Sequence, residues 1–216
     1  MKGDHTKMRK TLFILGAIFG ILIVSVSTAF AECRKEPGAQ CQGAKLRGID
    51  WRGAKLDGGN FQNADLEQAN FAGASLKGAV LRGANLQQAR LEQSDMSGAN
   101  LDGADLRWAN LENSNLVKTR FTNAQMAKSD LENADLSQAI LTGADLTRAD
   151  LVSADLQQAD LQRVKLDGAY MAYANLKQAN LTGASINRTR LIGARLKDAT
   201  WIDGKVCKAP SIGSCK

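Results

Sequence analysis

The chain has 216 residues, with 28 Lys and Arg against 22 Asp and Glu, for a formal net charge of +6. That length suits one domain or at most two, and the positive balance excludes a strongly acidic exterior. Its single histidine is His5, so from residue 6 onward the commonest acid–base and metal-ligating side chain is missing.

Residues 1–31 come first. Lys2, Lys7, Arg9 and Lys10 make a basic start, Thr11 to Ala31 carry no charge, and Ala29-Phe30-Ala31 puts small residues at the −3 and −1 positions of a cleavage site. This is the pattern of a secretory signal peptide. The alternative is an uncleaved membrane anchor, because 21 uncharged residues are enough to span a bilayer. A lipid attachment site at Cys33 is disfavoured by Glu32, which stands where such sites need a small residue. Four of the basic and one of the acidic residues lie in this leader, so residues 32–216 carry only +3.

Residues 32–43, with Cys33 and Cys41, precede a long repeat over 44–206, and residues 207–216, with Cys207 and Cys215, follow it. In the repeat an apolar residue recurs at every fifth position from Leu46 to Val206, 33 times without an insertion, and 23 of these are Leu. We call this position i. At i−2, 24 of the 33 residues are Ala, and at i−1, 18 are Asp or Asn. Proline is absent between Pro37 and Pro210.

A period of five fits neither a helix stripe nor a long strand. An extended segment sends i−2 and i to one face and i−1 to the other. One small and one large residue thus point inward together, and the chain turns at i+1 and i+2, where Gly48, Gly53, Gly58 and Gly73 fall. Four sides and four turns close a square coil of 20 residues, and coils stack by parallel β-type hydrogen bonds. The Asp and Asn residues have a turn role, because their side-chain oxygens can accept local backbone N–H groups.

Stretches such as Ala104-Asp105-Leu106, Ala134-Asp135-Leu136 and Ala179-Asn180-Leu181 closely resemble the pentapeptide-repeat family, whose motif reads A-(D/N)-L-x-x. The resemblance covers about three quarters of the chain. It implies an all-β fold, a right-handed quadrilateral β-helix, here of about eight coils. Stacked at the strand spacing, these coils make a prism of roughly 40 Å. Four cysteines allow three pairings, but Cys41 and Cys207 lie near opposite ends of such a prism, beyond disulfide reach. The expected bonds are Cys33–Cys41 and Cys207–Cys215, with Trp51 and Trp201 helping to plug the ends.

Residues 20 apart stack in columns, which turns the sequence into a surface map. One face carries a basic stripe of Arg107, Trp108, Lys128, Arg148, Lys165 and Arg188, with the i+2 column broken at Gly168. Such a stripe can attract phosphate or an acidic polymer. The plainer reading is a solvated ladder neutralised by Asp130 and Asp150, two residues after Lys128 and Arg148. The next face stacks Glu92, Glu112 and Glu132, a column too spread to make a dedicated cation site. Further along it, Val152, Tyr170, Ala172, Tyr173 and Ile192 point outward, an apolar cluster suited to a protein partner or a second copy.

No nucleophile motif, phosphate loop or metal-ligand spacing is present, so no catalytic residue, metal or cofactor is expected. The reading is a non-enzymatic exported scaffold or protein-binding module of the bacterial envelope or periplasm, or a secreted one. Its partner would be an envelope protein or itself, not nucleic acid. A membrane-tethered assembly protein is the alternative if the leader is retained. Some members of the family resemble duplex DNA and protect DNA gyrase from quinolones; that role needs an acidic exterior and access to the cytoplasm, neither of which this sequence suggests.

Overall fold

The computed structural model describes residues 33–216; the leader assigned to residues 1–31 lies outside the described residues. From Gln40 onward, i−1 residues pair in parallel with the i−1 residue 20 positions on, from Gln40↔Asn60 to Asn180↔Thr200. Four such pairings per 20 residues make a four-sided solenoid. No side is long enough for an extended strand, so each contributes one paired residue. Three backbone bonds join each side to the next coil. On one side, Leu131 N–H donates to Asp150 O at 2.7 Å, Asn133 N–H to Val152 O at 3.0 Å, and Asp150 N–H to Ser129 O at 2.9 Å.

The corners are four-residue turns in which the i+3 N–H donates to the i carbonyl, as in Ala134 N–H to Leu131 O at 3.1 Å. The i+2 residue has positive φ at every turn from Gly38 to Asp198, between 55° and 72°, as a type II turn requires. Nineteen of these positions are not glycine. The left-handed conformation costs an L-residue about 1 kcal/mol, so bonding to the neighbouring coils decides the turn geometry, not residue preference.

Inside, the i residues from Leu56 to Leu181 and nearly all the i−2 alanines are fully buried. Burial of each leucine contributes roughly 2 kcal/mol. Gly59 takes an alanine position because the Phe61 ring lies where a side chain would be: an added Cβ would stand 2.6 Å from Phe61 Cε2 and 3.0 Å from Leu56 O. Near the N-terminal end, Trp51 meets Phe61 and Phe71 edge-to-face at 6.2 and 6.1 Å.

All eighteen Asp and Asn residues at i−1 accept the backbone N–H two residues on, as Asp130 does from Glu132 at 3.0 Å. Where i−1 is Ser75, Arg120 or Ser185, an aspartate of the preceding coil does so instead. Asp57, Asp102 and Asp167 accept from Lys77, Thr122 and Asn187 at 3.0, 2.9 and 3.0 Å.

The ends depart from the sequence boundaries. Cys41 already occupies an inward i position, with its N–H donated to Asn60 O at 2.7 Å, so the coil register starts inside the expected 32–43 cap. At the other end the register stops at Trp201, and the apolar period misleads at Val206, which is 58% exposed. The chain reverses through a turn closed by Gly204 N–H to Trp201 O, and Thr200↔Val206 and Arg195↔Ile212 pair antiparallel. The returning segment covers the edge of the last coil: Cys207 N–H donates to Ala199 O at 2.8 Å, and Leu196 N–H to Ser211 O at 2.9 Å. Cys33–Cys41 and Cys207–Cys215 are disulfide-bonded, with Cα separations of 4.7 and 5.0 Å. Among the described residues no helix is long and apolar enough to cross a membrane.

Candidate interaction surfaces

The basic stripe divides into paired and unpaired cations. Arg107 Nη2 sits 2.6 Å from Asp105 Oδ2, and this bond holds the guanidinium above its ordinary pKa. Lys165 Nζ lies 3.7 Å from Asp145 Oδ2. Lys128, Arg148 and Arg188 make no ion pair among the described residues. The expected neutralisation by Asp130 and Asp150 does not occur: one oxygen of each accepts its own backbone, at Glu132 and Val152, and among the described residues neither carboxylate makes an ion pair. Trp108, 47% exposed, has Lys128 Nζ 5.2 Å and Arg107 Cζ 5.8 Å from its ring centroid. Its π face orders these cations rather than offering a free platform.

Beyond Arg148 the column loses its side chain at Gly168. There an open concavity of about 510 Å³ is lined by Thr147, Arg148, Asp167, Gly168, Asn187 and Arg188. Asp167 accepts from Ser185 Oγ at 2.9 Å and from the Asn187 N–H, and hydrogen bonding from Ser185 and from the side chain and backbone of Asn187 holds its carboxyl below the usual carboxylate value.

The acidic column does not converge. Glu92 is bound by Arg90, Glu112 accepts from Asn113 Nδ2 at 2.9 Å, and no cluster with metal-holding geometry occurs among the described residues.

On the apolar face, Met171 is fully buried while Tyr170 and Tyr173 on either side are 41% and 63% exposed, and Ile192 is 67% exposed. Val152 and Ala172 are half-buried between them. Two features of this patch were legible only as 20-residue offsets. Arg190 Cζ lies 4.7 Å from the Tyr170 ring centroid, and the Tyr173 ring occupies the space above Gly193, 2.5 Å from where a Cβ would be. The patch is therefore aromatic with a cationic edge.

The family described as pentapeptide repeats matches this chain in eight copies, over residues 38–73, 60–98, 74–113, 99–138, 129–168 and 159–198. The chain belongs to the pentapeptide-repeat family. Members of the family are generally non-enzymatic structural or binding proteins. Among solved structures, this pentapeptide-repeat chain is 32% identical to HetL from the cyanobacterium Nostoc sp. strain PCC 7120, a protein involved in heterocyst differentiation regulation. That match covers 79% of this chain and 86% of HetL, with a TM-score of 0.47. It is 17% identical to full-length QnrB1, a plasmid-mediated fluoroquinolone resistance protein, over 76% of this chain and 87% of that one, with a TM-score of 0.54. The second likeness is one of fold. No curated protein matches.

Proposed function

We propose that this pentapeptide-repeat protein is an exported, non-enzymatic scaffold whose right-handed quadrilateral β-helix presents a protein-binding surface in the bacterial envelope or periplasm. The observation that carries the reading is the exposure of Tyr170 and Tyr173 around buried Met171, beside Ile192. Exposed aromatics grouped with an aliphatic residue and a cation are the composition of an interface centre. Export is supported by the leader pattern and by the two disulfides, which belong to an oxidising compartment. An acidic DNA-like role is not favoured by three cations on one face that make no ion pair among the described residues.

The test is affinity capture from an envelope extract, comparing the chain expressed from its full sequence with its Tyr170→Ser/Tyr173→Ser variant. Sedimentation of both reports self-association. The reading predicts a bound species or dimer that is lost in the variant, and equal capture by both would overturn it.

A further inference from the structure

The concavity at Gly168 lies on a different face from the tyrosines. It exists because the i+2 column, otherwise occupied by Trp108, Lys128, Arg148 and Arg188, has no side chain at this coil. Arg148 and Arg188 stand two coils apart, about 10 Å by the coil spacing, and each is exposed and without a carboxylate partner among the described residues. The Arg148 stem leans over the gap, with its Cγ 3.3 Å from where a Gly168 Cβ would be. One oxygen of Asp167 accepts from both Ser185 Oγ and the Asn187 N–H, and a carboxylate with two oxygens has capacity for a further donor.

Two guanidinium groups can grip an oxyanion from opposite sides through paired N–H donors. One ionised carboxylate in the same cleft leaves a local charge of about +1, which fits a singly charged group better than a phosphate monoester carrying close to −2. The Asp167 carboxylate lines the concavity as an acceptor, so the ligand should also bring a hydroxyl, and Thr147 and Asn187 offer further polar contacts. We propose that this notch binds an acidic saccharide, its sulfate ester or carboxylate held between Arg148 and Arg188 and a neighbouring hydroxyl donated to Asp167. Lys128, one coil before Arg148 and ordered by Trp108, extends the site along the solenoid for a longer acidic glycan.

Binding of a heparin hexasaccharide, a polygalacturonate hexasaccharide, polyphosphate and inorganic sulfate should be measured by titration calorimetry on the full chain at physiological salt. Fixed salt matters because exposed charges are screened. Three variants decide the question. Arg148→Gln and Arg188→Gln each remove one arm, and Gly168→Gln fills the notch without changing charge. Glutamine is accepted at this turn position, since Gln158 and Gln178 both have φ of 59° there; an unchanged melting temperature would verify it. Arg163→Gln removes the same charge from a different face. We expect saturable binding of at least one hexasaccharide, weakened on the order of tenfold by each of the three variants and little changed by Arg163→Gln. Equal weakening by Arg163→Gln, unchanged affinity in Gly168→Gln, or no hexasaccharide binding would overturn the proposal. So would inorganic sulfate or polyphosphate binding as tightly as the sugars, since the notch would then take any anion. Loss of tyrosine-dependent protein capture would leave this site standing, and the reverse holds too.

Discussion

Asp102 accepts the backbone N–H of Thr122, 20 residues on, at 2.9 Å, and its second oxygen takes the Arg120 guanidinium at 3.0 Å. One carboxylate thus joins two successive coils where Arg120 has displaced the usual Asp or Asn.

This arrangement makes stability acid-sensitive. Partial burial alone would raise the Asp102 pKa, but the bonds from Arg120 and Thr122 outweigh it and hold the group below 3.8. Hydrogen bonding to Arg52 likewise lowers Asp50 to about 2. A carboxyl depressed in the folded state contributes stability that is complete above its unfolded pKa and is lost as pH falls through the folded one. Melting temperature should therefore be flat above about pH 5 and fall below about pH 4. Asp102→Asn should flatten that fall; an unchanged acid slope in the variant would contradict the assignment.

The C-terminal cap should fail locally. Cys207 is buried, and its bonded partner Ala199 lies in the last coil. Breaking its disulfide removes a loop-closure term of at most about 2.5 kcal/mol, and in a solenoid each coil contacts only its neighbours. In Cys207→Ser, hydrogen exchange should accelerate at the Leu196 and Asp198 amides and stay slow at Leu131. Uniform acceleration along the chain would refute local fraying.

Inward and outward residues of one repeat should separate cleanly. Met171→Ser removes a fully buried side chain and leaves a hydroxyl in its place, a loss of about 3–5 kcal/mol. Tyr170→Ser with Tyr173→Ser should move the melting temperature only slightly, since both rings are exposed and what is lost is the Tyr170 contact with Arg190 and the Tyr173 contact over Gly193. Thermal melts of the two variants check this, and the reverse order would exchange the assignments.

Gly59→Ala should destabilise, although alanine is the rule at that position. The added Cβ meets the Phe61 ring at 2.6 Å, and overpacking of this kind costs about 1–3 kcal/mol. Phe61→Leu in the same chain should recover part of the loss, because leucine with alanine is the pairing used by most other repeats. A double-mutant cycle measures the coupling, and simple additivity of the two changes would show that ring and glycine are independent.

The period of five determined by itself which residues face inward. Side-chain direction alternates along any extended segment, so Leu at i and Ala at i−2 could only be the lining. It also determined the role of Asp and Asn at i−1, a contact two residues away that needs no knowledge of the rest of the chain. Tertiary structure decided whatever depends on a neighbour 20 residues distant or on where stacking stops. Val206 keeps the period but not the burial, because beyond Trp201 there is no further coil to pair with and the chain folds back to cover the edge. Lys128 and Arg148 are close in sequence to Asp130 and Asp150 yet make no ion pair among the described residues, whereas Asp105 takes Arg107, two positions on, and Asp145 takes Lys165 in the next coil. The gap at Gly168 becomes a notch between two arginines only when three coils are stacked, since a missing side chain acquires shape from the residues above and below it.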